Sequence, residues 1–196
     1  MQRSDIRKKH NLFEWDELNL IREEAERIMA LPPEERQKKE VRERFCDYLE
    51  YVLCLVYAYG WKDAEEIVGI VPFRDGLDDK CVNLEIANKT FRERTDDVIQ
   101  NGTVDELNRI IDTESTRDYN TGVTDAGNES GLPGIKKRWN TMLDWKVRDA
   151  HMELEGQEVN LDDQFYVGMD SAYAPGMFSD PSLNINCRCY LTLRTE

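Results

Sequence analysis

Apolar positions recur every three or four residues through the first half of the chain, and the rhythm changes near its end. Leu18, Ile21, Ala25 and Ile28 lie at helical spacing, and Asn11 with Glu14 three residues on has the form of a capping box. Pro32-Pro33 stops that helix and can open the next, since proline suits a first helical turn. The second helix carries Val41, Phe45, Tyr48, Leu49, Val52 and Val56 on one side, with Gly60 as its expected terminator. A short helix is expected over Trp61 to Ile70, a break over Val71 to Gly76, and a further helix from about Asp78 to Ile99. Thr103 with Glu106 is a second capping box and opens a helix to about Ala126. Asn128 to Gly134 reads as a loop, and a last helix is expected over Ile135 to Leu154.

Beyond Gly156 the texture is different. Phe165-Tyr166-Val167 is the best short strand in the stretch from Gln157 to Val167. Ser171 to Asn186 is rich in Pro, Gly, Ser and Asn and reads as a long loop, of a length that tends to be functional. Cys187 to Thr195 alternates and predicts a terminal strand. The expected fold class is α+β. A predominantly helical N-terminal arm, residues 1–76, precedes a small module, residues 77–196, of a helix packed on a few antiparallel strands. On this reading the charged-to-apolar gradient of the second helix marks an arm entering a core or a partner's groove, and if it docks on partners a fragment from about Trp61 onward, or from a cleaner cut near Asp78, folds without it.

Composition narrows the function. Acidic side chains number 40 against 26 basic ones, a formal net charge of -14, so the surface as a whole is unsuited to coating nucleic acid. The local exception is Lys136 to Arg148, with five basic residues and one acid. The longest apolar run, Tyr51 to Tyr59, has nine residues, against the roughly 20 that a membrane-spanning helix requires. The start is polar, without a signal-peptide core. Five cysteines without a secreted-framework spacing point to a reducing cytoplasm. Cys46 and Cys54, eight apart on one helix, are expected to fill the core. There is no Gly-rich phosphate loop, no serine nucleophile elbow and no paired-histidine metal helix.

The remaining signals form an ordered set: Thr113-Glu114-Ser115-Thr116-Arg117 with Asn120 and Gly122; then Lys137, Trp139, Asp144, Arg148, His151, Leu154 and Gly156; then Phe165, Pro175-Gly176 and Asn186-Cys187-Arg188-Cys189. From about Lys89 to the end, this set resembles the phage Mu F-like head morphogenesis family, the MuF-type minor capsid proteins. The resemblance implies a low-copy protein of a phage or prophage head. Such a protein joins procapsid assembly near the portal and supports DNA packaging or delivery. The expected partners are portal and head proteins, with no membrane, and the expected location is the host cytoplasm and then the virion head. Some members carry toxin domains after this module; here the sequence ends seven residues after Cys189, and none is expected. Many relatives place a further His just before the Asn-Cys-Arg-Cys segment, where this chain has Ser182-Leu183-Asn184-Ile185.

Placed on the expected Ile135–Leu154 helix, Trp139, Leu143, Val147, Ala150 and Leu154 form an apolar stripe. Asp144, Arg148, His151 and Glu155 then cluster on another face. The preferred reading is a structural polar cluster of Glu114, Arg117, Asn120, Asp144, Arg148, His151, Asn186 and Arg188. Arg188, opposite to the cysteines on its strand, is expected to bridge to Glu114 or Asp144. Three alternatives stay open. His151, Cys187 and Cys189 are three possible zinc ligands, with Asp144 or Glu155 as a fourth, but Cys-x-Cys is tighter than the usual knuckle and no cofactor is expected. A nuclease- or transferase-like enzyme would use His151 as acid or base with Arg148, Arg188, Asp144 and Glu114 around it. A nucleic-acid contact would use the Lys136–Arg148 patch.

Overall fold

The computed structural model describes residues 15–72 and 89–195. The capping box expected at Asn11 and Glu14, the helix start near Asp78 and the boundary near residue 76 lie outside these residues. The described elements are α1 (Asp16–Met29), α2 (Pro33–Arg36), α3 (Lys39–Val68), α4 (Phe91–Asn101), α5 (Val104–Glu129), β1 (Lys136–Thr141), α6 (Asp149–Met152), β2 (Glu158–Asn160), β3 (Phe165–Val167), β4 (Asp170–Ala172), α7 (Pro181–Asn184) and β5 (Cys189–Arg194). Helices come first and a small antiparallel sheet last, so the class is α+β.

The helices form where periodicity and capping agree. α1 buries Leu18, Ile21, Ala25 and Ile28, as its spacing predicts. Thr90 with Glu93 and Thr103 with Glu106 close full capping boxes on α4 and α5, each satisfying two otherwise orphaned backbone donors. Gly60 does not terminate the second helix: α3 runs through it to Val68 and stops at Gly69, whose φ of 83 suits a residue without a side chain. The separate helix expected from Trp61 is therefore the last part of α3. The reason lies in α5. A Cβ on Gly60 would overlap the Tyr119 carbonyl, and one on Gly122 would overlap that of Tyr57. The glycines let α3 and α5 approach backbone to backbone, and tertiary packing overrides the local stop signal.

The larger correction concerns Ile135–Leu154. β1 occupies Lys136–Thr141, and only Asp149–Met152 of the expected helix is helical. β1 is the central strand of the sheet β2-β1-β5, pairing antiparallel on both sides, with Lys137 opposite Val159 and Leu193 and Trp139 opposite Leu191. Its inward side chains are Lys137, Trp139 and Thr141. Two of the three are polar, which hides the apolar alternation of a half-buried strand, while the more distant apolar residues fall at helical intervals by coincidence. Beyond Thr141 the backbone turns at Leu143, with φ 52, so the anticipated stripe never forms and Leu143 is exposed. Phe165-Tyr166-Val167 is a strand as expected, hairpinned with β4. The segment Ser171 to Asn186 is less irregular than expected, since it contains the end of β4 and all of α7.

Lys137 needs its own account. Its side chain is buried, its ammonium lies 5.8 Å from the Phe165 ring centre and 5.2 Å from that of Tyr173, and burial pushes its pKa down to about 8. The two ring faces offset part of the desolvation of the amine.

One hydrophobic core extends from Leu18 in α1 through α3 and α5 to Leu193 in β5. The first helices therefore share a core with the module, and a cut at Trp61 would divide α3. Phe45, Leu49, Val52, Leu53, Val56 and Tyr57 are all buried on the part that would be removed. A fragment beginning at Trp61 is expected to lose its cooperative thermal transition, in contrast to the removable arm expected from sequence. Calorimetry of the fragment beside the full chain checks this; retention of a sharp endotherm would restore the separable arm.

Candidate functional site

The site is built on the middle of α5. From Glu114 to Asn120 every residue is buried, although all seven side chains in Glu-Ser-Thr-Arg-Asp-Tyr-Asn carry a polar group and four of them can be charged. Burial of such groups is tolerable only when they are paired. Glu114 pairs with Arg94 of α4 at 2.9 Å and with Arg117 one turn along. Asn120 donates to the Thr116 carbonyl at 2.7 Å and accepts the Leu191 backbone N–H at 2.7 Å. The Thr116 hydroxyl donates to the Cys187 carbonyl. Glu114, Arg117 and Asn120 are thus all paired inside the fold, and the bonds of Asn120 to Leu191 and of Thr116 to Cys187 fasten the terminal segment to α5.

The tail brings its sulfurs to His151. Nδ1 of His151 lies 3.5 Å from Sγ of Cys187 and 3.4 Å from Sγ of Cys189, and all three side chains are buried. α6 supplies His151, and left-handed Asn186 (φ 53) turns the chain so that Cys187 and Cys189 arrive on one side. Asn186, counted in advance as a polar-cluster member, is exposed and contributes through its backbone conformation. The imidazole stacks on Phe178 and meets Trp139 edge-on, both at 5.7 Å. The two cysteines are free thiols with opposite tendencies. A hydrogen bond from Cys189, helped by His151 and opposed by burial, holds Cys187 below the usual thiol range, while burial and the nearby Cys187 sulfur push Cys189 well above it. Two adjacent thiolates in an apolar pocket repel each other, so one sulfur ionises long before the other.

The other predicted residues divide. Arg188 pairs with Asp144, through Nε at 2.9 Å and Nη2 at 2.6 Å, which settles its partner among the two anticipated. Both contacts go to Oδ2, so the pair is not the two-oxygen fork. Arg148 donates to the Ile185 carbonyl, tying the α6 entrance to the α7 exit. Glu155 accepts the Thr141 backbone N–H at 2.6 Å, sealing the end of β1. Asp144, Arg148, His151 and Glu155 therefore share no helix face; a turn separates Asp144 from α6. The Lys136–Arg148 stretch is likewise dispersed: Lys137 points inward, Arg138 faces Glu158 at 3.6 Å, and Arg148 serves the backbone. Sequence reasoning missed Arg94 and Phe178. Arg94 carried no signal of its own, whereas Phe178 lay in the Pro/Gly-rich segment already marked as functional.

Residues 83–192, more than half of the chain, match the family described as Phage Mu protein F like protein. The chain belongs to that family. Every residue of the Phage Mu F-like match singled out above, from Glu114 to Cys189, falls inside the matched segment. An 83-residue stretch is also 37% identical to a protein of Enterococcus faecalis named NAD(+)--arginine ADP-ribosyltransferase EFV, covering 41% of this chain and 17% of that protein. The chain thus spans less than a fifth of that relative. No solved structure matches it.

The His-Cys-Cys trio fits a metal in part. Tetrahedral zinc with ordinary bond lengths sets its ligand atoms about 3.5 Å apart, close to the two N···S distances here. Among the described residues the group of His, Cys, Asp and Glu donors stops at three, and Trp139 and Phe178 wall the imidazole. Structural sites use four donors. Protein purified without added metal is expected to hold far less than one zinc per chain by elemental analysis; a full equivalent, lost in Cys187→Ser, would make the trio a metal centre.

Burial of the sulfurs carries a second expectation. Cys189→Asp should destabilise the protein by about 2–4 kcal/mol through an unpaired buried charge. Arg194→Ala, at the exposed strand end, should change the melting midpoint hardly at all. Equal tolerance of both substitutions in denaturant titrations would contradict the packing.

Proposed function

We propose that this chain is a structural protein of a phage or prophage head, a minor capsid component that works with the portal in procapsid assembly, DNA packaging or delivery. Membership of the Phage Mu F-like family is the observation that carries this reading. The geometry supports it: the residues of the ordered motif are spent on internal contacts. Asn120 and Thr116 hold β5, Arg148 holds the backbone at Ile185, and His151 is enclosed with two cysteines. A catalytic His must reach the proton it moves, and His151 has only protein around it. Exposed Trp145, Tyr166 of β3 and Met169 of the β3–β4 turn lie in the sheet module and offer apolar contacts for head proteins. No described helix is long and apolar enough to cross a membrane.

The alternative is a nuclease- or transferase-like activity centred on His151, Arg148 and Arg188. The activity in the name of the Enterococcus relative describes a protein that this chain matches over a small part, and it supplies no site residue here. Particles purified from the producing host decide between the readings. Mass spectrometry is expected to find the chain in heads at low copy number, cross-linked to the portal. Its absence from particles, together with nucleic-acid cleavage abolished by His151→Ala, would replace the structural reading with the enzymatic one.

A further inference from the structure

α5 and the segment around α7 enclose a cavity of about 640 Å³ that the contacts above leave open. Its volume falls in the range of small-molecule sites. Four buried polar atoms on its lining residues have neither a hydrogen bond nor an ion pair: Nε and Nη2 of Arg94, Oγ1 of Thr113 and Oδ2 of Asp118; a fifth without a hydrogen bond, Oε2 of Glu114, is held in the ion pair with Arg117. Native interiors leave few such atoms, so four around one cavity require an explanation. Arg94 spends Nη1 on Glu114. Its idle Nε and Nη2 form the edge of the guanidinium that spans two oxygens of a carboxylate or a phosphate.

The charge balance favours an anion. Arg109 and Arg117 also line the cavity, giving three guanidinium groups against the two carboxyl groups of Glu114 and Asp118, in a chain that is strongly acidic overall. Asp118 is itself buried: its Oδ1 lies 3.9 Å from Nε of Arg117, and burial pushes its pKa well above the usual carboxyl range. The charge of Arg94 is itself under strain: burial lowers its pKa, which an added anion would relieve. Apolar lining comes from Ile110, Met177 and Phe178. Gly176 makes the enclosure possible, since at φ 88 its backbone passes so near Arg117 that a Cβ would sit 3.2 Å from that residue.

We propose that this cavity binds a small ligand with an oxyanion head, carboxylate or phosphate, on the Arg94 edge and an apolar body against Ile110, Met177 and Phe178. The site is separate from the head-protein role and is read on the isolated chain, so either can fail alone.

Matched probes test it: hexanoate, hexyl phosphate and uncharged hexanol, titrated into the full chain by calorimetry. At least one anion is expected to bind saturably and hexanol to bind far more weakly; whichever anion binds identifies the head group. Arg94→Gln should weaken that binding by about tenfold or more, the loss of a charge-assisted pair. Thr121→Trp, which fills the cavity from α5 and leaves Arg94 in place, should abolish it and decides the matter if Arg94→Gln fails to fold. The proposal is overturned if neither anion saturates, if hexanol binds as tightly, or if binding survives the cavity-filling change.

Discussion

A polar stretch of helix buried on every side is the constraint on which this structure rests. Glu114 to Asn120 lies between α3, α4, the terminal strand and the segment around Gly176, and every one of its residues is buried. Each charged or amide group there must find protein partners or lose more than a hydrogen bond returns. The partners come from distant parts of the chain: Arg94 from α4, the Leu191 amide from β5, the Cys187 carbonyl from the tail. Meeting this one requirement brings together segments that share no apolar pattern. The result is high-stakes, because a network of this kind specifies a unique arrangement only when its members are satisfied together.

The terminal strand shows how that specification works. β1 pairs with one edge of β5, and the other edge would be open, as for any outer strand. Asn120 occupies it at Leu191, and the cysteines lock the strand's start against His151. The same contacts that dock the tail take His151 out of solvent, so the chemistry of the trio and the stability of the sheet are hard to separate. The low-lying Cys187 thiol is a product of that enclosure. It depends on the neighbouring thiol and imidazole, and it carries no implication of a substrate.

Glycines do complementary work on the other side of α5. Gly60 and Gly122 allow two long helices to cross at backbone contact, and Gly176 allows the Pro/Gly-rich segment to pass close over Arg117. Close approach on that side is matched by open space further along this helix, in the cavity beside Arg94. Around it Arg94, Thr113 and Asp118 keep unspent hydrogen-bonding capacity, the last of them within the buried stretch itself.

Much was legible in the residues alone. The face of α1, the capping box at Thr103, the strand at Phe165 and the terminal strand all follow from short-range periodicity and capping chemistry, which act within a few residues; that Cys187, Cys189 and His151 could meet was legible only as a matching set of donor types. The family follows from an ordered set of residues. What only the tertiary structure decided was set by distant partners. β1 is a strand because β2 and β5 pair with it, despite inward Lys137 and Thr141. α3 continues past Gly60 because α5 lies against it. Arg188 chooses Asp144 because a turn, not a helix, presents that carboxylate. Arg94 becomes a site residue only once α4 packs beside Glu114. Local pattern determines which face of an element is apolar; it carries no information on which polar group across the fold will complete a buried bond.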